Sequence, residues 1–171
     1  MSTDKAQMLD MTAAEAQMAA CELERSAALI LGQMLFEFSR LDVSLGLLLV
    51  WSGEGRQLDE LTKKLTAYSF NDKLDFLEKL IDARFKRNSR AHSAYRQWLL
   101  DAHNTRITRN CLVHGRWGVH AYQQQVINIV GLPTSPDQRE TRYSVSNLAA
   151  LLDGMKLLQT KLHELRKQWP L

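Results

Sequence analysis

The chain has few of the residues that interrupt helices or cross-link a fold. Its 171 residues include 8 Gly, 3 Pro and 2 Cys. Sparse Gly and Pro argue against a many-turned β-sandwich and favour long helices. The two cysteines, Cys21 and Cys111, cannot form a disulfide framework, and their spacing fits no metal site. We therefore expect a largely helical protein that needs no metal and no cofactor.

Long apolar runs are also missing. The longest one, residues 45–51, is far shorter than the roughly 20 residues that span a bilayer. Residues 1–21 lack the apolar centre of a secretory signal. Hydrophobic residues make up 45% and charged residues 24% of the chain, which is the balance of a globular protein. These features predict a cytoplasmic protein without a membrane partner.

The charges are distributed unevenly. The net charge is +3, but residues 1–83 carry 8 basic and 14 acidic residues, whereas residues 84–116 carry 8 basic residues and 1 acidic residue. A dense basic block is typical of a polyanion contact, because cations near phosphates release condensed counterions. The alternative is that the block pairs with the acidic first half, and charge alone leaves both open. The basic residues are Arg84, Lys86, Arg87, Arg90, Arg96, Arg106, Arg109 and Arg116.

Apolar residues recur at steps of three and four from Arg25 onward, which predicts a long helix that ends near residues 52–55. This helix is apolar on more than one face, so we expect it to be central. Three further helices are predicted between this helix and Gly115. One carries Leu58 to Leu65, one is capped by Asn71, and one spans about residues 93–113, with Gly115 as the residue that stops it.

The periodicity changes after Gly115. Short β-type segments alternate with a Gly- and Pro-containing loop at residues 131–137, and Ser146 or Asn147 is expected to cap a last helix. The sequence predicts an all-α fold, a bundle of about four core helices with a small β-hairpin or extended excursion at about residues 117–145. We expect a flexible or frayed segment at residues 1–24 and a single helical domain at residues 25–169.

One stretch combines reactive side chains with a predicted helix end. Arg109 and Asn110 are followed by His114 and Gly115. A second Arg-x4-His pair, Arg87 with His92, lacks the Leu-Val pair and the following glycine and tryptophan. A looser pair, Arg96 with His103, falls in mid-helix. The usual phosphate-loop and nucleophile motifs are absent from the sequence. The cysteines and the paired acids that are present do not form a competing catalytic site.

The form Arg-Asn-x-Leu-Val-His-Gly, near the end of the third core helix, resembles the signature of the HEPN superfamily. The likeness extends over about residues 24–169. It implies a HEPN-like bundle and a metal-independent ribonuclease of the kind found in toxin–antitoxin, phage-defence and RNA-processing systems. It further implies a homodimer that brings two motifs together, an RNA substrate that is single-stranded or a structured loop, and a possible cognate antitoxin protein. Other members of the superfamily are non-catalytic scaffolds.

Metal-free RNA cleavage needs a base for the 2′-hydroxyl proton, an acid for the leaving oxygen and donors for the phosphorane charge. His114 fits the acid–base role, and Arg109 offers planar donors to phosphate oxygens. Asn110 is expected to orient the ribose or the imidazole, while Arg106 and Arg116 are expected to bind the substrate. Side chains five residues apart lie about 140° apart on a helix, so we expect His114 at a frayed end, turned toward Arg109 or a partner subunit.

Two alternatives remain open. In the first alternative, the chain is a non-catalytic HEPN-like dimeric module with an interaction or regulatory role. In it, His114 hydrogen-bonds across the dimer and Arg109 pairs with an acid such as Glu37 or Asp42. The second is a plain helical-bundle subunit of a phage or bacterial assembly.

Overall fold

The computed structural model describes residues 11–171. The predicted mostly helical fold with a small β segment before the last helix is confirmed, and the β segment has three strands. None of the described helices has the length and apolar character needed to cross a bilayer. The elements are α1 (Ala13–Val50), α2 (Leu58–Thr66), α3 (Phe70–Arg84), α4 (Arg90–His114), β1 (Arg116–His120), β2 (Gln125–Val130), β3 (Arg139–Tyr143) and α5 (Val145–Gln168).

Helix α1 begins earlier than the sequence pattern predicts. The Thr12 backbone N–H donates to the Glu15 carboxylate at 2.8 Å, and the Glu15 N–H donates to the Thr12 hydroxyl at 3.3 Å. This reciprocal capping box starts the helix at Ala13. Leu23 is buried. Residues 13–24 are therefore helical in the structure. The expected flexible or frayed character of residues 1–24 stays a prediction, and residues 1–10 lie outside the described part.

Helix α3 is capped two residues before the predicted Asn71. The Ser69 hydroxyl accepts from the Asp72 N–H at 3.2 Å, and the Asp72 carboxylate accepts from the Ser69 N–H at 2.9 Å. These bonds hold the pKa of Asp72 below its usual value. The Asn71 amide instead donates to Asp75, one turn along, at 3.1 Å. Asn71 thus lies inside the helix.

Helix α5 is also capped earlier than predicted. Ser144 accepts from the Asn147 N–H at 3.1 Å, and the Asn147 side chain accepts from the Ser144 N–H at 3.1 Å. Ser144 is therefore the capping residue, and the predicted caps at Ser146 and Asn147 are wrong. The reason is that Asn147 acts as the reciprocal third residue of the box.

The described chain forms two compact units where a single domain was expected. The helical unit comprises residues 35–109 and 153–171, and the sheet unit comprises residues 11–34 and 110–152. The core of the helical unit is aliphatic and aromatic: Leu41, Leu45, Leu49, Leu74, Leu77, Ile81, Tyr95, Trp98 and Leu162 are all buried. Two polar side chains in this core have hydrogen-bond partners. The Trp98 indole donates to the Leu158 carbonyl at 2.9 Å, and the Tyr95 hydroxyl donates to the Trp169 carbonyl at 2.9 Å.

The sheet unit holds an antiparallel sheet in the order β1-β2-β3. Trp117 pairs with Asn128, and Asn128 pairs with Thr141 across the three strands. Paired residues of an antiparallel sheet lie on the same face. The face that includes Asn128 also includes Val126, and both residues are buried. The other buried residues of this unit lie on its helices: Leu23, Ala27, Met34, Leu112, Leu148 and Leu152.

Candidate functional site

The Arg-x4-His motif lies on one continuous helix. Helix α4 extends through His114, and the Gly115 N–H donates to the Cys111 carbonyl at 3.0 Å. His114 is thus the last residue of a regular helix and does not lie at a frayed end; that its side chain turns toward Arg109 or a partner subunit stays a prediction. On a regular helix the Arg109 and His114 side chains project about 140° apart. Each residue is best described within its own unit.

Arg109 belongs to the helical unit, where it contacts an aromatic side chain. Its guanidinium carbon lies 4.9 Å from the centroid of the Phe38 ring. Phe38 in turn packs against Phe70, with ring centroids 4.7 Å apart. A guanidinium over an aromatic face is a cation–π contact. Arg109 is half-buried in this position, so part of its surface contributes to packing in the helical unit.

The acids that were expected to pair with Arg109 have other contacts. Glu37 binds Arg40 and accepts from the Gln159 amide at 2.7 Å. Asp42 binds Lys73 at 2.7 Å, and only 11% of the Lys73 side chain is exposed. Both carboxylates thus have cationic or amide partners on the helical unit.

Arg106 was expected to bind the substrate. It is half-buried, and its Nε atom is buried with no hydrogen-bond partner among the described residues. Substrate binding by Arg106 stays a prediction. Four of the exposed cations of the basic block lie where α3 gives way to α4. They are Arg84, Lys86, Arg87 and Arg90.

Three predicted site residues belong to the sheet unit. His114 is exposed at the last turn of α4, and Asn110 is half-buried one turn earlier. Arg116 is exposed at the start of β1, where its guanidinium donates to the Gly131 carbonyl at 3.4 Å. The exposed imidazole of His114 is accessible to a ligand from solvent.

The residue that follows His114 is a glycine for steric reasons. Gly115 does not have a positive φ, unlike Gly53, Gly55 and Gly131. A Cβ atom at Gly115 would lie 2.1 Å from the Asn128 amide nitrogen and 2.5 Å from its oxygen. Gly115 thus follows the end of α4, as predicted, but not in the left-handed conformation that favours glycine. Gly115 is required because the amide of Asn128 occupies the space next to it.

Asn128 was not among the predicted site residues. It is 1% exposed, and its amide nitrogen has no hydrogen-bond partner among the described residues. The sequence contained a signal, since Asn128 is the one polar residue within the apolar run of residues 126–130. Its contact with Gly115 fixes the path of the chain directly after His114.

The tryptophan that follows the motif anchors the sheet to the end of α4. The Trp117 indole N–H donates to the Leu112 carbonyl at 2.9 Å. Its ring lies 6.1 Å from the ring of Tyr143 on β3. Burial raises the pKa of Tyr143, and the nearby Cys111 thiol raises it further. Leu112 and Trp117 thus hold His114 between two fixed points of the sheet unit.

The alternative Arg–His pairs have internal partners. The His92 imidazole lies 2.9 Å from the Asp82 carboxylate, and Arg96 forms an ion pair with Glu78. Asp101, the one acid of the basic block, lies 3.7 Å from Lys161. His92, Arg96 and Asp101 of the basic block therefore pair internally, unlike what a polyanion contact of the basic block would require of these three residues.

The described residues offer no metal site and one apolar hollow in the sheet unit. Residues 11–171 contain no group of three His, Cys, Asp or Glu side chains placed to hold a metal ion. A hollow of about 460 Å³ in the sheet unit is lined by Ala27, Leu31, Trp117, Val126 and the carboxylate of Glu24. This lining is apolar and acidic, so it is unsuited to a phosphate.

Comparison with known proteins finds no matching family model, no matching curated protein and no matching solved structure.

Proposed function

We propose that the protein is a metal-independent endoribonuclease of the HEPN type, which cleaves single-stranded RNA as a homodimer. The observation that supports this best is an exposed His114 at a helix end, held in place by the Gly115–Asn128 contact and preceded by Arg109. A fixed and solvent-accessible imidazole is what general acid–base catalysis requires. A toxin–antitoxin or phage-defence setting with a cognate antitoxin belongs to the same proposal.

The proposed reaction is an internal transesterification. His114 removes the proton of a ribose 2′-hydroxyl, and the oxygen attacks the adjacent phosphorus. The bond from phosphorus to the 5′-oxygen then breaks, and that oxygen takes up a proton. The products are a 2′,3′-cyclic phosphate and a 5′-hydroxyl end. Arg109 stabilises the charge of the phosphorane through its guanidinium, and Asn110 orients the ribose or the imidazole.

The helical geometry supports the proposed homodimer. Arg109 and His114 project about 140° apart from one helix, so one copy does not aim both side chains at the same phosphate. We propose that Arg109 of one copy acts with His114 of the other. The RNA is bound by exposed cations of each unit, namely Arg116 in the sheet unit and the group between α3 and α4 in the helical unit.

The test is cleavage of single-stranded RNA by the full chain in excess EDTA. His114→Ala should lower the rate about 10²–10⁴-fold, since a positioned acid–base group contributes that much. The matched control is His92→Ala, from the pair that binds Asp82, and it should leave the rate nearly unchanged. Loss of activity in EDTA, or a larger effect of His92→Ala than of His114→Ala, would contradict the proposal.

A mixing experiment tests the composite site. Arg109→Ala and His114→Ala are each inactive alone, but a mixed dimer contains one intact site. Equal amounts should therefore recover about a quarter of the wild-type rate after subunit exchange. No recovery in mixtures that demonstrably exchange would refute a site shared between copies.

A second candidate function is a non-catalytic dimeric interaction or regulatory module. The contact of Arg109 with Phe38 favours it, because a guanidinium held on an aromatic ring has a structural role in the helical unit. In this case Arg109→Ala lowers the stability of the fold, and no RNA cleavage is observed for the wild-type protein. Arg109→Lys then separates the roles. It retains a cation near Phe38 but loses the bidentate phosphate contact, so it should preserve stability in either case and lose cleavage only in an enzyme.

A further inference from the structure

The sheet unit contains a hollow of about 460 Å³ that the proposed function does not use. Small-molecule sites in proteins occupy roughly 300–1,000 Å³, so the hollow has room for a small organic ligand. Its lining residues come from α1, β1 and β2, and all of them belong to the sheet unit. The hollow is therefore built by one unit alone.

Helix α1 supplies one wall of the hollow. Glu24, Ala27, Ala28 and Leu31 line it, and they follow the i, i+3, i+4 and i+7 spacing of a single helix face. Because the two alanine side chains are short, they leave space beside this face. Glu24 is exposed and so lines the part of the hollow that is open to solvent.

The sheet supplies the other wall. Trp117 and Val119 are two positions apart on β1, and Val119 pairs with Val126 on β2, so these three side chains project from one sheet face. Val126 is buried. A Cβ atom at Gly118 would meet no described atom within 4 Å, so the space beside β1 is not filled at this position. The sheet wall is therefore apolar and open at one strand.

The indole of Trp117 offers a ligand its ring. Its N–H is already used, because it donates to the Leu112 carbonyl at 2.9 Å. An aromatic ring attracts a cation through its π face, and indole does so best among the aromatic side chains. The charge of the lining favours the same sign of ligand, since Glu24 is the one ionisable residue among the eight that line the hollow.

Two cations adjacent in sequence to lining residues do not themselves line the hollow. Arg116 precedes Trp117 on β1 and so projects from the opposite sheet face, where its guanidinium donates to the Gly131 carbonyl at 3.4 Å. Arg25 follows Glu24 on α1 and projects about 100° around the helix from it. The lining therefore combines apolar side chains and an aromatic ring with one acid.

We infer that this hollow binds a small organic ammonium ion with an apolar body. The apolar body packs against Leu31, Val119 and Val126, and the ammonium group is held by the Glu24 carboxylate and the Trp117 ring. Burial of hydrocarbon, the cation–π contact and the ion pair all favour such a ligand. The inference does not depend on the proposed function, because it is tested by binding to the sheet unit and not by cleavage.

Titration of the full chain with phenethylammonium tests the site. The readout is the indole N–H signal of Trp117 in a heteronuclear NMR spectrum, which Trp117→Phe identifies by its loss. This signal should shift and saturate with a dissociation constant of about 0.1–1 mM, as expected for a ligand of this size. The signals of Trp51, Trp98 and Trp169 should stay in place, because these tryptophans belong to the helical unit.

Two analogues test the sign of the ligand charge. Phenethyl alcohol has the same ring and chain without the charge, and it should bind about ten-fold more weakly. Phenylpropionate should leave the Trp117 signal in place at the same concentrations, because its carboxylate would face Glu24. An alcohol that binds as tightly as the ammonium would show that the hollow selects apolar groups alone, and the inference would then be wrong.

Glu24→Gln tests the ion pair. It should weaken the binding of phenethylammonium about five-fold, which is the contribution of an ion pair at an exposed site, and should leave the binding of the alcohol unchanged. The matched control is Glu22→Gln. Glu22 is also exposed on α1 but projects about 160° away from Glu24, so its replacement should change neither affinity. Equal effects of the two variants would reflect net charge alone and would refute a contact with Glu24.

Ala28→Leu fills the hollow from its helical wall. Ala28 is exposed and leucine is a good helix former, so the variant should retain its helical circular dichroism. It should weaken the binding of phenethylammonium at least about ten-fold, because the added side chain occupies the ligand volume. Ala14→Leu, at an exposed position of α1 that does not line the hollow, is the control and should bind as the wild type does. Unchanged binding by Ala28→Leu, or an affinity that falls as the protein concentration rises because a second copy fills the hollow, would overturn the inference.

Discussion

Replacing Gly115 by alanine tests the steric contact that fixes the chain after His114. The added Cβ would lie 2.1 Å, 2.5 Å and 2.6 Å from the amide nitrogen, oxygen and carbon of Asn128. Rotation of the amide does not relieve the clash, because all three terminal atoms take part. Asn128 is only 1% exposed and has no room to move away. Overpacking of this kind costs about 1–3 kcal/mol of unfolding free energy.

The measurements are equilibrium urea unfolding and thermal unfolding, each followed by circular dichroism. Gly115→Ala should lower the melting temperature by about 2–4 °C for each kcal/mol lost, as expected for a chain of this length. The double variant Gly115→Ala/Asn128→Ala should be more stable than the sum of the single effects predicts. The favourable coupling should be about 1 kcal/mol or more, because Asn128→Ala removes the atoms that clash.

Gly118→Ala is the control for this prediction. Gly118 lies on β1 in the same unit, and a Cβ there meets nothing within 4 Å. Alanine should be neutral or should stabilise the strand by about 0.5–1 kcal/mol, because glycine loses more backbone entropy on folding. The reasoning is refuted if both alanine variants behave alike, or if Asn128→Ala does not rescue Gly115→Ala.

Two further predictions concern charge. Burial raises the pKa of Tyr95 to about 12, an effect that Arg166 partly offsets, so the folded protein keeps a proton that the unfolded chain loses near pH 10. The unfolding free energy should therefore be fully retained below pH 10 and should fall as the pH rises toward 12. In urea unfolding, Tyr95→Phe should lower the unfolding free energy by about 1 kcal/mol at neutral pH and should show a shallower decline at alkaline pH. The affinity for single-stranded RNA should fall as the salt concentration rises. Arg87→Gln and Arg90→Gln, made separately, should each reduce the slope of log affinity against log salt by about 0.7. An unchanged slope would exclude the exposed group between α3 and α4 as an RNA contact.

The sequence predicted the helices well because their apolar positions follow a regular period. The C-terminal end of α1, both ends of α4 and the β segment near residues 117–145 were all anticipated within a few residues, whereas the start of α1 was not. Helix caps were less predictable. Asn71 and Ser69 are both good capping residues in isolation, and the reciprocal bond to Asp72 selects Ser69. Such a choice depends on where the chain enters the helix, which the residue types alone do not determine.

The candidate site shows the same limit. The motif residues were located by their spacing, and His114 is at the helix end as expected. Neither the contact of Arg109 with Phe38 nor that of Gly115 with Asn128 could be predicted. Each joins residues far apart in the sequence, so it depends on tertiary packing. The glycine was correctly expected at the helix end, but for a backbone reason in place of the steric one.

The division of the chain into two units has a consequence for the order of folding. Each unit is assembled from separate stretches of sequence, and α5 contributes to both. Leu148 and Leu152 are buried in the sheet unit, while Leu158, Leu162 and Leu165 complete the core of the helical unit. During synthesis the first four helices emerge before this last one. Neither hydrophobic core can close until α5 has left the ribosome, so folding of both units is completed by the same late segment.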